Sequence, residues 1–231
     1  MIIKDLFHQL QMIFVIEGNI GSGKSTICSQ LETKYPDQIK VLYEQVDVWE
    51  KNRMDDKSIL HYFYSDPSRY SLTFQIYVLL QRVNHLVNML ETYPNCIFIC
   101  ERSHLTDLNI FAKHCKLNGK MNEIEWNTYL EAQKLIEKLC PKIDGIIYNK
   151  ASVEVCASRI KQRNRDGEAL IDTKYLEELD KRHDEWLQSQ GPTSLSNEEI
   201  PVFTINGDVE QDSVERELQL NIILNWVRET R

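Results

Sequence analysis

Gly18-Asn19-Ile20-Gly21-Ser22-Gly23-Lys24-Ser25 fits the spacing G-x-x-x-x-G-K-[ST], and every residue type in that pattern has a use for phosphate. Glycine frees the backbone so that successive N–H groups can turn toward phosphate oxygens, the lysine reaches the outer phosphates, and the serine hydroxyl is an Mg²⁺ ligand. Residues compatible with a helix follow directly, from Thr26 to Tyr35, so the loop ends at a helix N-terminus whose partial positive charge favours an anion. A user of ATP or GTP is expected. Three further groups of charged residues stand where chemistry is plausible. Glu44 follows an apolar run, and a carboxylate there suits proton removal from a hydroxyl in line with a terminal phosphate, although by itself it reads more readily as an ordinary exposed acid. Glu101 and Arg102 follow the run Cys96-Ile97-Phe98-Ile99-Cys100. The first can hold Mg²⁺ directly or through water and the second offers a fixed cationic fork; a structural ion pair is the alternative. Arg159, Lys161, Arg163 and Arg165 form a basic stripe running into the break Asp166-Gly167-Glu168, which reads as a lid over phosphates or as a solvated helix face.

The elements that must carry these residues alternate between short apolar runs and longer amphipathic stretches, the pattern of βαβ units around a parallel sheet. The expected strands are 12–17, 39–43, 96–100, 145–148 and 202–205. The expected helices are 26–35, one within 69–92, 107–117, 123–139, 152–163, 173–187 and 212–228. In an open α/β sheet the site lies outside the carboxyl ends of the strands, where the phosphate loop, Glu44 and Glu101-Arg102-Ser103 all fall. Residues 191–199 (GPTSLSNEE) read as a polar surface loop.

With 231 residues the chain is expected to form one domain, 1–231, with a sizeable core. Its 35 acidic against 27 basic residues give a net charge of -8, which argues against nonspecific attraction to nucleic acid or an anionic membrane. Cysteines at 28, 96, 100, 115, 140 and 156 include no C-x-x-C and no zinc-like histidine spacing, so reduced, packed thiols are expected. No apolar run approaches the length of a membrane span. The first twelve residues, MIIKDLFHQLQM, carry one Lys and no Arg or Ser, unlike a signal or transit segment; the cytoplasm, or the nucleus, is the expected location.

Taken in order, these residues resemble the deoxyribonucleoside kinases, the family that includes deoxycytidine, deoxyguanosine and non-cytosolic thymidine kinases. The likeness rests on the phosphate loop, Glu44-Gln45-Val46-x-x-Trp49, Leu72-Thr73-Phe74-Gln75 with Arg82, and Glu101-Arg102-Ser103-x-x-x-Asp107. It continues through Arg159-Ile160-x-x-Arg163-x-Arg165-Asp166-x-Glu168, Tyr175-Leu176-Glu177-Glu178-Leu179 and His183-x-x-Trp186-Leu187, and spans about residues 12 to 210. The resemblance implies a P-loop kinase fold: a five-stranded parallel sheet flanked by helices, with an Arg-rich lid at about 159–170. It implies ATP-dependent phosphorylation of the 5′-hydroxyl of a 2′-deoxyribonucleoside in nucleotide salvage, with Mg²⁺ and a homodimer built on the helices near 69–92 and 123–139. Glu44 looks like the general base, Arg102 like the residue steadying the acceptor oxygen and incoming phosphoryl group, and Lys24 like the phosphate-loop cation. The donor would be held by Gly18, Asn19, Ile20, Gly21, Ser22, Gly23, Lys24, Ser25 and Thr26 with Arg159, Arg163 and Arg165, and Mg²⁺ by Ser25 and Glu101. Tyr64 and Glu168 match the pair on the sugar 3′-hydroxyl, Gln75 the residue pairing with the base edge, and Val46, Trp49, Phe74, Val78 and Phe111 the pocket walls.

Base preference is expected from Arg82 and Asp107. Thymidine-accepting members look different there, whereas an Asp held by Arg can accept from an exocyclic amine, so deoxycytidine or a deoxypurine is expected over thymidine. Val78 narrows the pocket and pulls the other way. Gln45 stands in place of a common proline, leaving the Glu44 turn less fixed, and Gly207 departs from the family where the donor base is sensed. The competing expectations are a nucleoside monophosphate kinase, which needs extra cations on its acceptor side, and a non-catalytic binding subunit, against which Lys24, Glu44, Glu101 and Arg102 speak together.

Overall fold

Five short runs of β-branched and apolar residues form the strands of a parallel sheet, each short and covered on both faces as such sheets require. In the computed structural model, which describes residues 11–165, 168, 171–188 and 199–230, these are β1 (Met12–Glu17), β2 (Ile39–Leu42), β5 (Ile97–Glu101), β6 (Gly145–Lys150) and β7 (Val202–Asn206). Their order is β2-β5-β1-β6-β7, all parallel. β1 is therefore central, and the order reverses beside it, which opens a crevice at its carboxyl end. Register places Glu101 beside Ile16, Cys100 beside Leu42 and Tyr148 beside Glu17, so all the strand ends that bear polar residues open on one edge.

Alternation along β1 divides the core. Ile13 and Val15 enter one apolar cluster and Phe14 and Ile16 another. Helix α1 (Lys24–Lys34) and the last helix, α10 (Val214–Glu229), cover the second through Ile27, Leu31, Leu220 and Ile223. A third cluster lies off the sheet. There α2 (Val46–Lys51), α3 (Ile59–Ser65), the 26-residue α4 (Pro67–Thr92) and α7 (Glu123–Leu139) bring together Trp49, Phe63, Phe74, Val78 and Tyr129.

Sequence expectation and structure agree on the five strands, on helices Glu123–Leu139 and Thr173–Leu187 (α9), and to within two residues on the helices expected at 26–35, within 69–92, at 152–163 and at 212–228; they differ in the following places. β2 stops at Leu42, one residue early, and β5 runs on through Glu101. The hairpin β3 (Arg53–Met54) and β4 (Lys57–Ser58), turning through Asp55 at φ 49 and Asp56 at φ 62, was not foreseen, nor were α2 and α3. The helix expected at 107–117 starts earlier, as α5 (His104–Thr106), passes through a π-helical turn at Asp107–Ala112 and ends as α6 (Lys113–Leu117). Helix α8 (Val153–Arg163) ends at Asn164 with φ 47. Of the expected lid beyond it, 166–167 and 169–170 lie outside the described residues, as do 191–198 of the expected loop. All six cysteines are free, five of them buried, as expected, and among the described residues no helix is long and apolar enough to cross a membrane.

Candidate active site

The phosphate loop is shaped by neighbours that leave no room for a Cβ. One added at Gly18 (φ 147) would lie 2.5 Å from the Asn149 carbonyl oxygen, and one at Gly21 (φ 79) would lie 2.5 Å from that of Cys156. Gly23, at φ 96, is the left-handed residue before α1 begins at Lys24. Asn149 Nδ2 and Arg159 Nη1 both donate to Ser22 O, at 2.7 and 2.9 Å. Asn19 accepts from its own neighbour Ile20 and donates to Leu176 O in α9 at 2.9 Å, so this side chain braces the loop. Lys24 Nζ donates to Gly18 O and Asn19 O at 3.1 and 2.8 Å. Burial and then Arg102 lower its pKa to about 8 against the raising effect of Glu101, Glu44 and Glu17.

Ser25 Oγ donates to Glu101 Oε1 at 2.7 Å, so a hydroxyl and a carboxylate already converge beside the loop. Among the described residues no cluster of three or more His, Cys, Asp or Glu is arranged to hold a metal. Mg²⁺ needs none, because it takes one or two protein oxygens and fills its octahedron with phosphate and water. The cradle, its helix N-terminus and this oxygen pair fit a nucleoside triphosphate with Mg²⁺.

Across from the loop lies a chain of alternating charges. Arg82, from α4, donates through Nε and Nη2 to Asp107 at 3.0 and 3.2 Å, through Nη2 to Glu44 Oε1 at 3.3 Å, and through Nη1 to Glu101 O at 3.1 Å. Arg102 Nε stands 3.3 Å from the same Glu44 oxygen. Burial alone would raise the Glu44 pKa, but Arg102, Arg82 and Lys24 outweigh it and hold the carboxyl below its ordinary value. Glu44 is thus ionised at neutral pH. Burial also lifts Asp107, and the Arg82 fork opposes the lift. The turn bearing Glu44 is closed by Val46 N–H donating to Glu44 O at 3.0 Å, which supplies the constraint that Gln45 in place of proline leaves open. Arg102 adopts φ 68, a left-handed conformation uncommon for any residue but Gly, Asn or Asp, and its guanidinium lies 4.9 Å from the centre of the Phe111 ring.

A single cavity of about 680 Å³ joins these groups. Ile20, Gly21, Gly23, Lys24, Ser25 and Thr26 line one end; Glu44, Val46, Trp49, Tyr64, Phe74, Gln75, Val78, Arg82, Arg102, Asp107 and Phe111 line the other. Gly18, Asn19 and Ser22 are buried and do not line the cavity. Trp49 meets Phe74 edge-on at 5.7 Å and Phe63 stacks on Phe74 at 4.5 Å, giving a flat apolar slot of the kind that takes a planar ring. Of the basic stripe, Arg159 is engaged with the loop and with Gly207 O at 2.8 Å. Arg163 grips Glu168 at 3.1 and 2.6 Å, and Arg165 lies 3.7 Å from it. Tyr64 is within electrostatic reach of Glu168: burial first, then Glu168 and Glu44, push its phenol pKa up. Gly207 has a local reason, since a Cβ there would lie 2.8 Å from the Ala151 backbone nitrogen.

Several residues at the site had no role in the sequence reading, Tyr175 being named there only within a motif. Tyr175 and Phe63 complete the slot, and Asn149 holds the loop from β6. Glu17, fully buried, accepts a hydrogen bond from Thr106 Oγ1 and faces Arg102 Nη1 at 3.8 Å. Its only signal in the sequence is an acid closing an apolar strand immediately before Gly18.

A phosphate cradle at the switch point of a parallel sheet, facing an ionised carboxylate between two arginines and an apolar slot, defines a P-loop phosphotransferase with a small organic acceptor. A family model described as deoxynucleoside kinase matches residues 14–230, and the chain belongs to the deoxynucleoside kinase family. It is similar to a probable deoxycytidine kinase of fowlpox virus, 36% identical over 194 residues covering 84% of this chain and 77% of the relative. Human deoxycytidine kinase is 33% identical over 221 residues, covering 85% and 83%. Mitochondrial thymidine kinase 2 of Macaca fascicularis is 32% identical over 220 residues, covering 94% and 77%. The chain is a deoxynucleoside kinase, and such an enzyme takes its phosphoryl group from a nucleotide donor.

Proposed function

We propose that this kinase, acting as a single domain over residues 1–231, phosphorylates the 5′-hydroxyl of deoxycytidine or a deoxypurine nucleoside in preference to thymidine, with ATP as donor. The observation that carries the base preference is the Arg82–Asp107 fork at 3.0 and 3.2 Å at the slot end of the cavity. A carboxylate held this way can accept from an exocyclic amine, whereas the methyl group of thymine would meet two charges. The relatives' names include both deoxycytidine and thymidine kinases, so the choice rests on this pocket.

Glu44, kept ionised by its arginines, accepts the proton of the 5′-hydroxyl, and Arg102 steadies that oxygen and the arriving phosphoryl group. Residues 18–26 hold the donor phosphates, with Lys24 on the outer ones and Arg159, Arg163 and Arg165 closing over them. Ser25 and Glu101 would hold Mg²⁺, which when bound neutralises charge on the transferring phosphoryl group. Gln75 reads the base edge, Tyr64 and Glu168 take the 3′-hydroxyl, and Val46, Trp49, Phe74, Val78 and Phe111 pack the base and sugar. Arg82 already serves Asp107 and Glu44, so it is a poor seat for an acceptor phosphate. The test is turnover of deoxycytidine, deoxyadenosine, deoxyguanosine and thymidine side by side, with dTMP as fifth acceptor. The first three should exceed thymidine; thymidine preference would overturn the pocket reading, and turnover of dTMP alone would overturn the acceptor class.

The working form is proposed to be a homodimer packed through α4 and α7, whose Leu80, Ile124 and Leu135 are 54%, 79% and 57% exposed. Sedimentation at micromolar concentration should give the mass of two chains, and Leu135→Glu should reduce it to one; an unmodified protein sedimenting as one chain would refute it.

A further inference from the structure

Glu17 has no part in the mechanism above, yet it is the fully buried carboxylate at the junction of both halves of the site. It ends β1, immediately before the phosphate loop. Its Oε1 accepts from Thr106 Oγ1, and that hydroxyl also accepts from Ser103 N–H at 2.8 Å within the capping box that starts α5. Glu17 therefore ties the root of the phosphate loop to the corner that carries Arg102 and Asp107. Its Oε2 and the Arg102 atoms Nε and Nη1 have no hydrogen-bond partner among the described residues, and Oε2 stands 3.8 Å from Nη1. That separation is too long for a hydrogen bond but within strong Coulomb reach in a buried place. Arg102 is thus oriented between Glu17, Glu44 and the Phe111 ring.

We propose that Glu17 is a positioning residue for phosphoryl transfer: its carboxylate, set by the Thr106 hydroxyl, holds the Arg102 guanidinium toward Glu44 and the acceptor oxygen. The proposal rests on the roles given to Glu44 and Arg102. A carboxylate serving stability alone is a poor choice here, because an apolar side chain of similar volume commonly costs the fold less than a buried ion with an unsatisfied oxygen. Burial raises the Glu17 pKa to about 7, opposed by Arg102, the Thr106 hydrogen bond, Lys24 and Arg82. These are the groups that face it from the corner after β5, from α5, from α1 and from α4. The ionised form that grips Arg102 therefore grows as pH rises through about 7. Glu44, held below its ordinary value, titrates lower.

The experiment compares Glu17→Gln, Thr106→Val, Thr106→Ser and Glu44→Gln with the unmodified protein, using ATP, Mg²⁺ and the best acceptor. Glu17→Gln should lower kcat about tenfold or more, leave both KM values within about twofold, and melt no lower than the unmodified protein at pH 8. Its kcat should also lose the rise through pH 7. Thr106→Val should lower kcat in the same sense, and Thr106→Ser, which keeps the hydroxyl, should restore it. Unchanged kcat in Glu17→Gln, or a pH 7 rise that persists there, overturns the proposal. If Glu17→Gln does not fold, the threonine pair decides, and Thr106→Val equal to Thr106→Ser overturns it. Glu44→Gln separates the two levels. Turnover retained there refutes the reading of the site on which the proposal stands; turnover lost there but kept in Glu17→Gln refutes the role of Glu17 alone.

Discussion

Arg82 gives three of its nitrogens to Asp107, Glu44 and the Glu101 carbonyl, so each of its partners depends on the others. Removing one member of a buried pair leaves an uncompensated charge, which costs about 3 to 5 kcal/mol. Asp107→Ala should therefore lower the unfolding free energy obtained from denaturant titration by an amount in that range and, in the same protein, move the acceptor preference toward thymidine. A stable variant with unchanged preference would show that Asp107 neither anchors Arg82 nor senses the base. Arg82 and Asp107 were legible in the sequence only together with the family's ordered motifs, because residues 25 apart carry no spacing signal of their own. Glu17 was not legible at all, since an acid at the end of an apolar strand looks the same whether it faces solvent or is walled in. What distinguishes it is Thr106, 89 residues away, and only the fold brings the two together.

The phosphate loop is threaded between the end of β6 and the body of α8, and its glycines show how closely. Gly21→Ala would put a Cβ 2.5 Å from the Cys156 carbonyl oxygen and 2.9 Å from Ile160 Cγ1 at φ 79, so the loop must leave its place against α8. The kcat/KM for ATP should fall about a hundredfold, through a raised KM. Gly119→Ala is the control. Its φ of 66 imposes a similar backbone strain, about 1 to 2 kcal/mol, but nothing lies within 4 Å, so it should lower the melting temperature and leave kcat and KM unchanged. Equal loss of activity in both would mean that strain, rather than crowding at the loop, is responsible. Most elements were legible: the strands from their short apolar runs, α7 and α9 from long amphipathic periodicity. Helices α2 and α3 were missed because six and seven residues are too few for a period of 3.6 to declare itself. The π-helical turn was missed because an inserted residue shifts the pattern without changing its composition, and it is this turn that carries both Asp107 and Phe111.

Over the whole molecule, buried histidines set the response to acid. Burial and then Arg82 push His104 down to about 4, and burial and then Arg102 push His183 down to about 3. The unfolded chain takes up a proton at each near pH 6.5 and the folded one does not, so stability falls as pH drops below 6.5, by about 2 kcal/mol per histidine at pH 5. Glu17 works in the opposite direction. Its folded pKa of about 7 lies above the ordinary 4.5, so the unfolded chain binds fewer protons between those values and stability falls as pH rises across them. In Glu17→Gln, where this opposing contribution is gone, the melting temperature should fall plainly between pH 6.5 and 5; a flat profile would mean that the two histidines are protonated in the folded protein. The buried carboxyl before the phosphate loop also has a consequence for the enzyme as a working object. The step near pH 7 that charges it and seats Arg102 for transfer is the same step that removes its own contribution to stability, so this one side chain gives up firmness for speed as pH rises. Selection for shelf life and selection for speed would pull this one side chain apart.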